Sequence, residues 1–318
     1  MEHIPVLLRE SVELLLANPR LSSASVLVDA TFGGGGHSRR LLEEGLCNFK
    51  VVALDQDPAA RNRALSLESE FPSRFRLLAG NYAELARLLA VAGVVKIDGL
   101  LLDIGLSSFQ LAESQRGFSF QSEGPLDMRM NPERGEPASG IVNRADITTL
   151  TRIFREYGEE PYAREIARRI VEYRARQPLC TTRDLAGLIE AMVPDHKRSR
   201  TRRHPATRVF QALRIFVNDE LSALKQVLVA GLERLNPGGR LVVISYHSLE
   251  DRLVKQSFRA AARGCVCPPR IPVCVCGRKP RVRILTGRGW RPDAAEIERN
   301  PRSRSAVLRA VEVVKQED

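Results

Sequence analysis

No run in the 318-residue chain approaches the length needed to span a bilayer. The partly apolar start, Met1–Arg20, is interrupted by Arg9, Glu10 and Glu13. Neither a transmembrane anchor nor a signal peptide is expected. Repeats and a low-complexity tail are also missing. There are only six cysteines, four of them crowded between Cys265 and Cys276. That is not the spread of a secreted disulfide framework, so a reducing, cytoplasmic setting is expected.

The remaining composition is that of a globular protein, 43% hydrophobic and 27% charged, long enough for one large or two ordinary domains. The net charge of +11, with a pI near 9.8, favours a polyanionic partner. Nucleic acid comes first and a membrane surface second.

The chain is organised around Val26–His37. An apolar run ends in Asp29, four glycines follow (Gly33–Gly36), and a helical segment begins at Ser38. Strand, glycine turn and helix make up a nucleotide site at the carboxyl edge of a parallel sheet. A dinucleotide fingerprint needs a third glycine, but Ser38 or Arg39 stands there, so the pyrophosphate reading fails on spacing. A second apolar run, Lys50–Leu54, ends in Asp55, an acid placed to grip ribose hydroxyls. Together these resemble the S-adenosylmethionine (SAM) site of Rossmann-like methyltransferases.

Phe75–Leu78 reads as a third strand, followed by Tyr82 and a helix over Glu84–Ala92. Tyr82 either lies against an adenine ring or anchors its loop. Ile97–Asp103 reads as a fourth strand and Arg240–Ser245, after an Asn236–Gly239 turn, as a fifth. These alternations predict a doubly wound parallel α/β sheet. Far more than one crossover lies between Asp103 and Arg240, so an inserted helical domain is expected over 112–213, splitting the sheet domain into 1–111 and 214–318. Thr151–Tyr157, Ala163–Arg176 and Asp184–Met192 have helical periodicity, and Thr181 with Asp184 resembles a capping box. Ile215–Leu235 reads as one amphipathic helix. The densest positive run, Lys197–His204, is either a solvated loop or a phosphate-contacting surface. Cys265, Cys267, Cys274 and Cys276 could hold zinc, but C-x-C spacing is tight and no histidine is near, so a reduced loop without metal is expected. Arg281–Leu285 and Ala306–Val314 read as an antiparallel pair closing the sheet.

Several motifs occur in order: His3–Leu8, Asp29–Ser38, Asp103–Ser108, Arg116–Phe120, Gly124–Met130, His204–Arg208, Ser245–Arg252 and Asn300–Ser305. On these the chain resembles the bacterial ribosomal RNA small subunit methyltransferase H family, the 16S rRNA cytosine-N4 methyltransferases, along essentially its whole length. The resemblance implies a class I SAM-dependent methyltransferase sheet with an inserted helical domain for substrate recognition. It implies N4-methylation of one cytidine of 16S rRNA, position 1402 in the usual numbering, near the P site. It also implies SAM contacts at Gly35, Gly36, His37, Asp55, Tyr82, Asp103 and Gln110. Phe109 and Ala112 stand where relatives often have proline and aspartate, and the cysteine cluster occurs in only some relatives.

A cytosine amine is a poor nucleophile, so a catalyst must position it and accept its hydrogen bonds. Asp103 and Ser107 are the candidate catalytic residues, with Ser108, backbone carbonyls near Gly105 and packing from Phe109 as further contributors. His247 is either a base or a helix cap. The partner is 16S rRNA, expected within an assembled small subunit, and the oligomeric state, a homodimer included, is left open. The rivals are a Rossmann-type oxidoreductase, a non-catalytic assembly factor that keeps a SAM pocket, and a DNA or small-molecule methyltransferase.

Overall fold

The structure is a computed structural model describing residues 4–45, 48–192, 204–268, 273 and 275–315. The chain divides into two compact units, Met1–Gly105 with Leu221–Asp318, and Leu106–Glu220.

The first unit is built on strands β1 (Val26–Asp29), β2 (Lys50–Asp55), β3 (Phe75–Ala79), β4 (Ile97–Asp103), β5 (Leu235–Ser245), β6 (Val282–Ile284) and β7 (Val307–Val313). They form one sheet in the order β3-β2-β1-β4-β5-β7-β6. The first five run parallel, and β7 lies antiparallel between β5 and β6. Each parallel strand reads as a continuous apolar run because both sheet faces are covered. Leu27, Val51, Ala53, Leu77, Leu101, Val242 and Ile244 fill one core. Their alternates Val28, Val52, Leu54, Leu78, Leu100, Leu102, Leu241 and Val243 fill the other. Helices α1 (Leu8–Leu16), α2 (Gly36–Glu44), α3 (Ala60–Glu70) and α4 (Leu85–Val91) follow the strand–helix alternation.

The second unit holds α5 (Ser108–Ala112), α6 (Ala138–Arg144), α7 (Ile147–Gly158), α8 (Ala163–Arg174), α9 (Thr182–Glu190) and α10 (Thr207–Asn218) around a core of its own, with Phe154, Ile166, Ile170, Leu185 and Leu213 fully or nearly fully buried. It is wider at both ends than residues 112–213, because Leu106, Leu111, Phe216 and Val217 pack on that core. Thr181 and Asp184 form the expected capping box.

Two local expectations need correction. Ile215–Leu235 is not one helix: α10 stops at Asn218, Asp219 takes a left-handed φ of 49°, and α11 (Glu220–Arg234) begins afresh. The apolar period carries across the break, so the pattern concealed it. Asn236–Gly239 is not a turn ahead of the fifth strand but a bulge inside it. Leu235 already pairs with Ile97, and the register resumes at Arg240 opposite Gly99. Gly238, with φ 86°, lets the backbone loop out there.

Candidate functional site

The acids predicted at the strand ends do lie at the carboxyl edge of the first unit's sheet, but they do different work. Asp29 is buried, its carboxylate accepting from the Ser38 hydroxyl at 2.7 Å and the Thr31 amide at 3.2 Å. It braces the glycine turn from behind. Burial pushes its carboxyl above the ordinary carboxylate range, and the two hydrogen bonds only partly offset this.

Asp55 faces the turn from β2. One oxygen accepts the Gly33 amide at 2.8 Å and the other the Asp57 amide at 2.9 Å. Each oxygen keeps acceptor capacity, which suits a ligand bearing a pair of hydroxyls. Burial raises its pKa to about 6. Arg63 Nε donates to the Gly33 carbonyl at 2.7 Å, holding the turn from a third side.

Glycine is required at two points of the turn. Gly35 caps α2 with φ 79°, and a Cβ there would stand 2.7 Å from the Phe32 ring. At Gly36 a Cβ would run into the Pro5 ring, so the segment ahead of α1 lies directly over the glycine turn. That segment is itself held. The Leu7 amide, in left-handed backbone with φ 49°, donates to Glu296 at 2.8 Å, and Asn300 Nδ2 donates to the Ile4 carbonyl at 3.1 Å.

Asp103 ends β4. Its amide donates to Thr31 Oγ1 at 2.6 Å, Tyr246 OH donates to its Oδ1 at 2.7 Å, and His37 Nδ1 lies 3.9 Å from its Oδ2. Burial lifts its pKa to about 6, against the pull of His37 and the tyrosine hydroxyl. Burial and the adjacent carboxylate push the Tyr246 phenol well above its ordinary value, so this hydroxyl stays a donor. Its ring also lies beside Gly105, 3.5 Å from where a Cβ would be. Nothing in the sequence singles out Tyr246, although it stands inside the Ser245–Arg252 motif. Its partner is 143 residues away, and no local pattern could have paired them.

Tyr82 opens a single 3-10 turn (Tyr82–Glu84) after β3 and packs on the core of the sheet face. Asn81 anchors that turn through the Ala83 amide and donates to Gln56 at 2.8 Å. Gly35, Gly36, His37, Asp55, Tyr82 and Asp103 therefore sit on strand ends, turns and the first turn of α2 along one sheet edge.

Ser107 and Gln110 belong to the second unit, where they form the capping box of α5. The Ser107 hydroxyl accepts the Gln110 amide at 3.2 Å, and Gln110 Oε1 accepts the Ser107 amide at 3.0 Å. His247 is the N-cap of α12 (Ser248–Ala262): its Nδ1 accepts the Glu250 amide at 3.4 Å, and Glu250 Oε2 accepts the His247 amide at 3.3 Å, so the structure gives it the capping geometry. The Gly124–Met130 motif proves to be a loop brace. Asp127 pairs with Arg129 at 2.7 Å and its carboxyl falls below the ordinary range, the arginine outweighing burial. Asn218 clamps the Met128 carbonyl and Met130 amide. Of the basic run only His204 is described, stacked on Phe120 at 4.3 Å and paired with Glu190. Lys197–Arg203 and Cys274 lie outside the described residues. No helix among the described residues is long and apolar enough to cross a membrane.

An edge lined by carboxylates suits hydroxyl donors and positive charge rather than a pyrophosphate. With this strand order, an acid ending β2 and a glycine turn after β1, the first unit is a Rossmann-like class I methyltransferase that takes its methyl group from SAM. The whole-chain comparisons are more specific. The chain belongs to the MraW methylase family, whose model matches residues 1–314. It is 56% identical over 310 residues to the ribosomal RNA small subunit methyltransferase H of Thermomicrobium roseum (98% of this chain, 93% of that protein). It is 51% identical to the protein of that name from Syntrophotalea carbinolica (98% and 97% covered). Among solved structures, an rRNA methylase from Streptococcus thermophilus aligns over 99% of this chain and 100% of its own at a TM-score of 0.42 and 14% identity.

Proposed function

We propose that this protein transfers the methyl group of SAM to N4 of one cytidine of 16S rRNA, position 1402 near the decoding P site, within the small ribosomal subunit. The observation that carries this reading is likeness over the whole chain to relatives named for small-subunit rRNA methylation. In it, Asp55 takes the ribose hydroxyls and Tyr82 lies against the adenine. Gly35, Gly36 and His37 line the methionine portion, and Asp103 and Gln110 complete the grip. SAM supplies an activated methyl on a sulfonium, so most of the acceleration asked of the protein is positioning. Asp103 and the Ser107 hydroxyl orient the target amine by accepting its hydrogen bonds. The amine then attacks the methyl carbon as the methyl–sulfur bond breaks, the pair leaving on sulfur as neutral S-adenosylhomocysteine, and the methylated amine loses its proton to water. The inserted helical unit recognises the RNA, and its basic run holds backbone phosphates beside an unstacked target base.

Small subunits prepared without the modification, labelled SAM and nucleoside analysis test this. N4-methylcytidine from the wild type, and none from Asp55→Ala, is the expected result. Free rRNA alongside reports on substrate form. SAM binding with no label in any lane would leave a non-catalytic assembly factor as the better reading.

A further inference from the structure

The loop joining α12 to β6 has no part in the chemistry above, yet it gathers three cysteines. The Sγ atoms of Cys265, Cys267 and Cys276 all lie within 4.8 Å of one another, and Cys265 and Cys276 are 3.8 Å apart. A disulfide would bring two sulfurs to about 2.05 Å. A tetrahedral zinc with Zn–S bonds of about 2.3 Å has sulfur–sulfur edges of about 3.8 Å. The Cys265–Cys276 spacing is that of a coordination edge, and Cys267 lies within 4.8 Å of both.

Backbone geometry explains how so tight a C-x-C pair can face one point. In an extended strand the two side chains would share a face but leave the chain about 6.5 Å apart, two residues' rise along it. Here the Cys267 amide folds back onto Cys265 Sγ at 3.4 Å, curling the chain around the sulfur, and the Val266 amide donates to Cys276 Sγ at 3.4 Å. Sulfur is a weak acceptor as a thiol, and amide donors favour its anionic form. Gly277, with φ 59°, turns the chain directly after Cys276. The loop is closed at its base, where the Arg281 amide donates to the Ala261 carbonyl at 2.9 Å and Arg278 Nη2 to the Ala260 carbonyl at 2.8 Å. Its ends are fixed, and the two cysteine segments are held against each other.

We propose that Cys265, Cys267 and Cys276 form a structural zinc site that staples this loop. Soft thiolates select zinc over the hard cations, which prefer oxygen. Three thiolates on a divalent ion leave one negative charge, offset by the flanking Arg263, Arg278 and Lys279. Cys265 and Cys276 are exposed and Cys267 half-buried, so a metal can reach the site from solvent.

The test uses the untagged full chain, stripped with chelator under reductant, re-equilibrated with zinc and assayed for bound metal. Cobalt is substituted in parallel for its thiolate charge-transfer absorbance. About one zinc per chain is expected. Cys267→Ser and Cys276→Ser should each weaken zinc by more than about tenfold, while Cys180→Ser keeps it and SAM binding reports that every variant is folded. Wild type without stoichiometric zinc, Cys267→Ser binding it as tightly as wild type, or cobalt without a thiolate band would each overturn the site.

Discussion

Replacing Tyr246 by phenylalanine removes one hydroxyl from the site and leaves the ring that lies beside Gly105. That hydroxyl donates to Asp103 at 2.7 Å, and Asp103 titrates near 6. At pH 7 about nine in ten wild-type molecules therefore carry the carboxylate. A hydrogen bond to a charged group is worth about 1.5–3 kcal/mol. The lower end of that range moves a carboxyl upward by about one pH unit. In Tyr246→Phe the midpoint should lie near 7, with about half the molecules ionised at neutral pH. If SAM needs the ionised form, its affinity should fall about fivefold at pH 6, about twofold at pH 7 and hardly at all at pH 8.5. Calorimetric titrations of both proteins from pH 5.5 to 8.5 read this directly. Asp55 also titrates near 6 but is common to both, so the ratio of affinities isolates Asp103. A loss by the same factor at every pH would refute the reasoning, since it would make the tyrosine a packing residue and Asp103 a bystander.

Asp103→Asn should trade function for stability. The folded pKa of Asp103 lies above its unfolded value, so its proton stabilises the fold below about pH 4, and that contribution is lost as pH rises through about 6. The ionised group then costs the ligand-free protein up to about 3 kcal/mol, and the asparagine variant should melt higher at pH 7.5, by a margin that vanishes near pH 4, while binding SAM poorly. A pH-independent change in melting temperature would contradict this. Gly36→Ala should destabilise by about 1–3 kcal/mol through its clash with Pro5, and adding Pro5→Ala should restore most of the loss; simple additivity of the two would deny the contact. Ser107→Asn keeps a helix cap without the hydroxyl, whereas Ser107→Ala loses about 1 kcal/mol of capping. Low turnover in both, with SAM affinity intact, is expected, and normal turnover in Ser107→Asn would take the hydroxyl out of the reaction. Neutralising Arg202 and Arg203 should lower the slope of RNA affinity against salt by about 1.5, and an unaltered slope would assign that run to solvent.

The sheet was legible wherever strands are buried on both faces, because Lys50–Leu54 and Leu100–Leu102 leave no other reading for runs that end in an acid. The inserted unit was legible from the distance between Asp103 and Arg240 alone. What escaped was non-local or cryptic in period. Tyr246 and Asp103 meet across the sheet edge, Pro5 reaches Gly36 from ahead of α1, and Leu7 depends on Glu296, 289 residues away. The break at Asp219 escaped because both flanking helices keep the same apolar stripe. Ser107 and Gln110 stand at the spacing of an N-cap and its third residue, a capping signal as legible in the sequence as the hydroxyl chemistry.

The position of β7 also has a consequence in time. Synthesis delivers β5 and then β6 before β7, yet β7 is the strand that lies between them. Until residue 313 has left the ribosome, the edge of β5 is an open row of amides and carbonyls with nothing correct to pair with. Pairing β6 there directly would be a trap, since the native sheet leaves no such ladder. Folding of the first unit is thus completed only after β7 has emerged, whereas the second unit, contiguous in sequence and with its own core, can fold while translation continues.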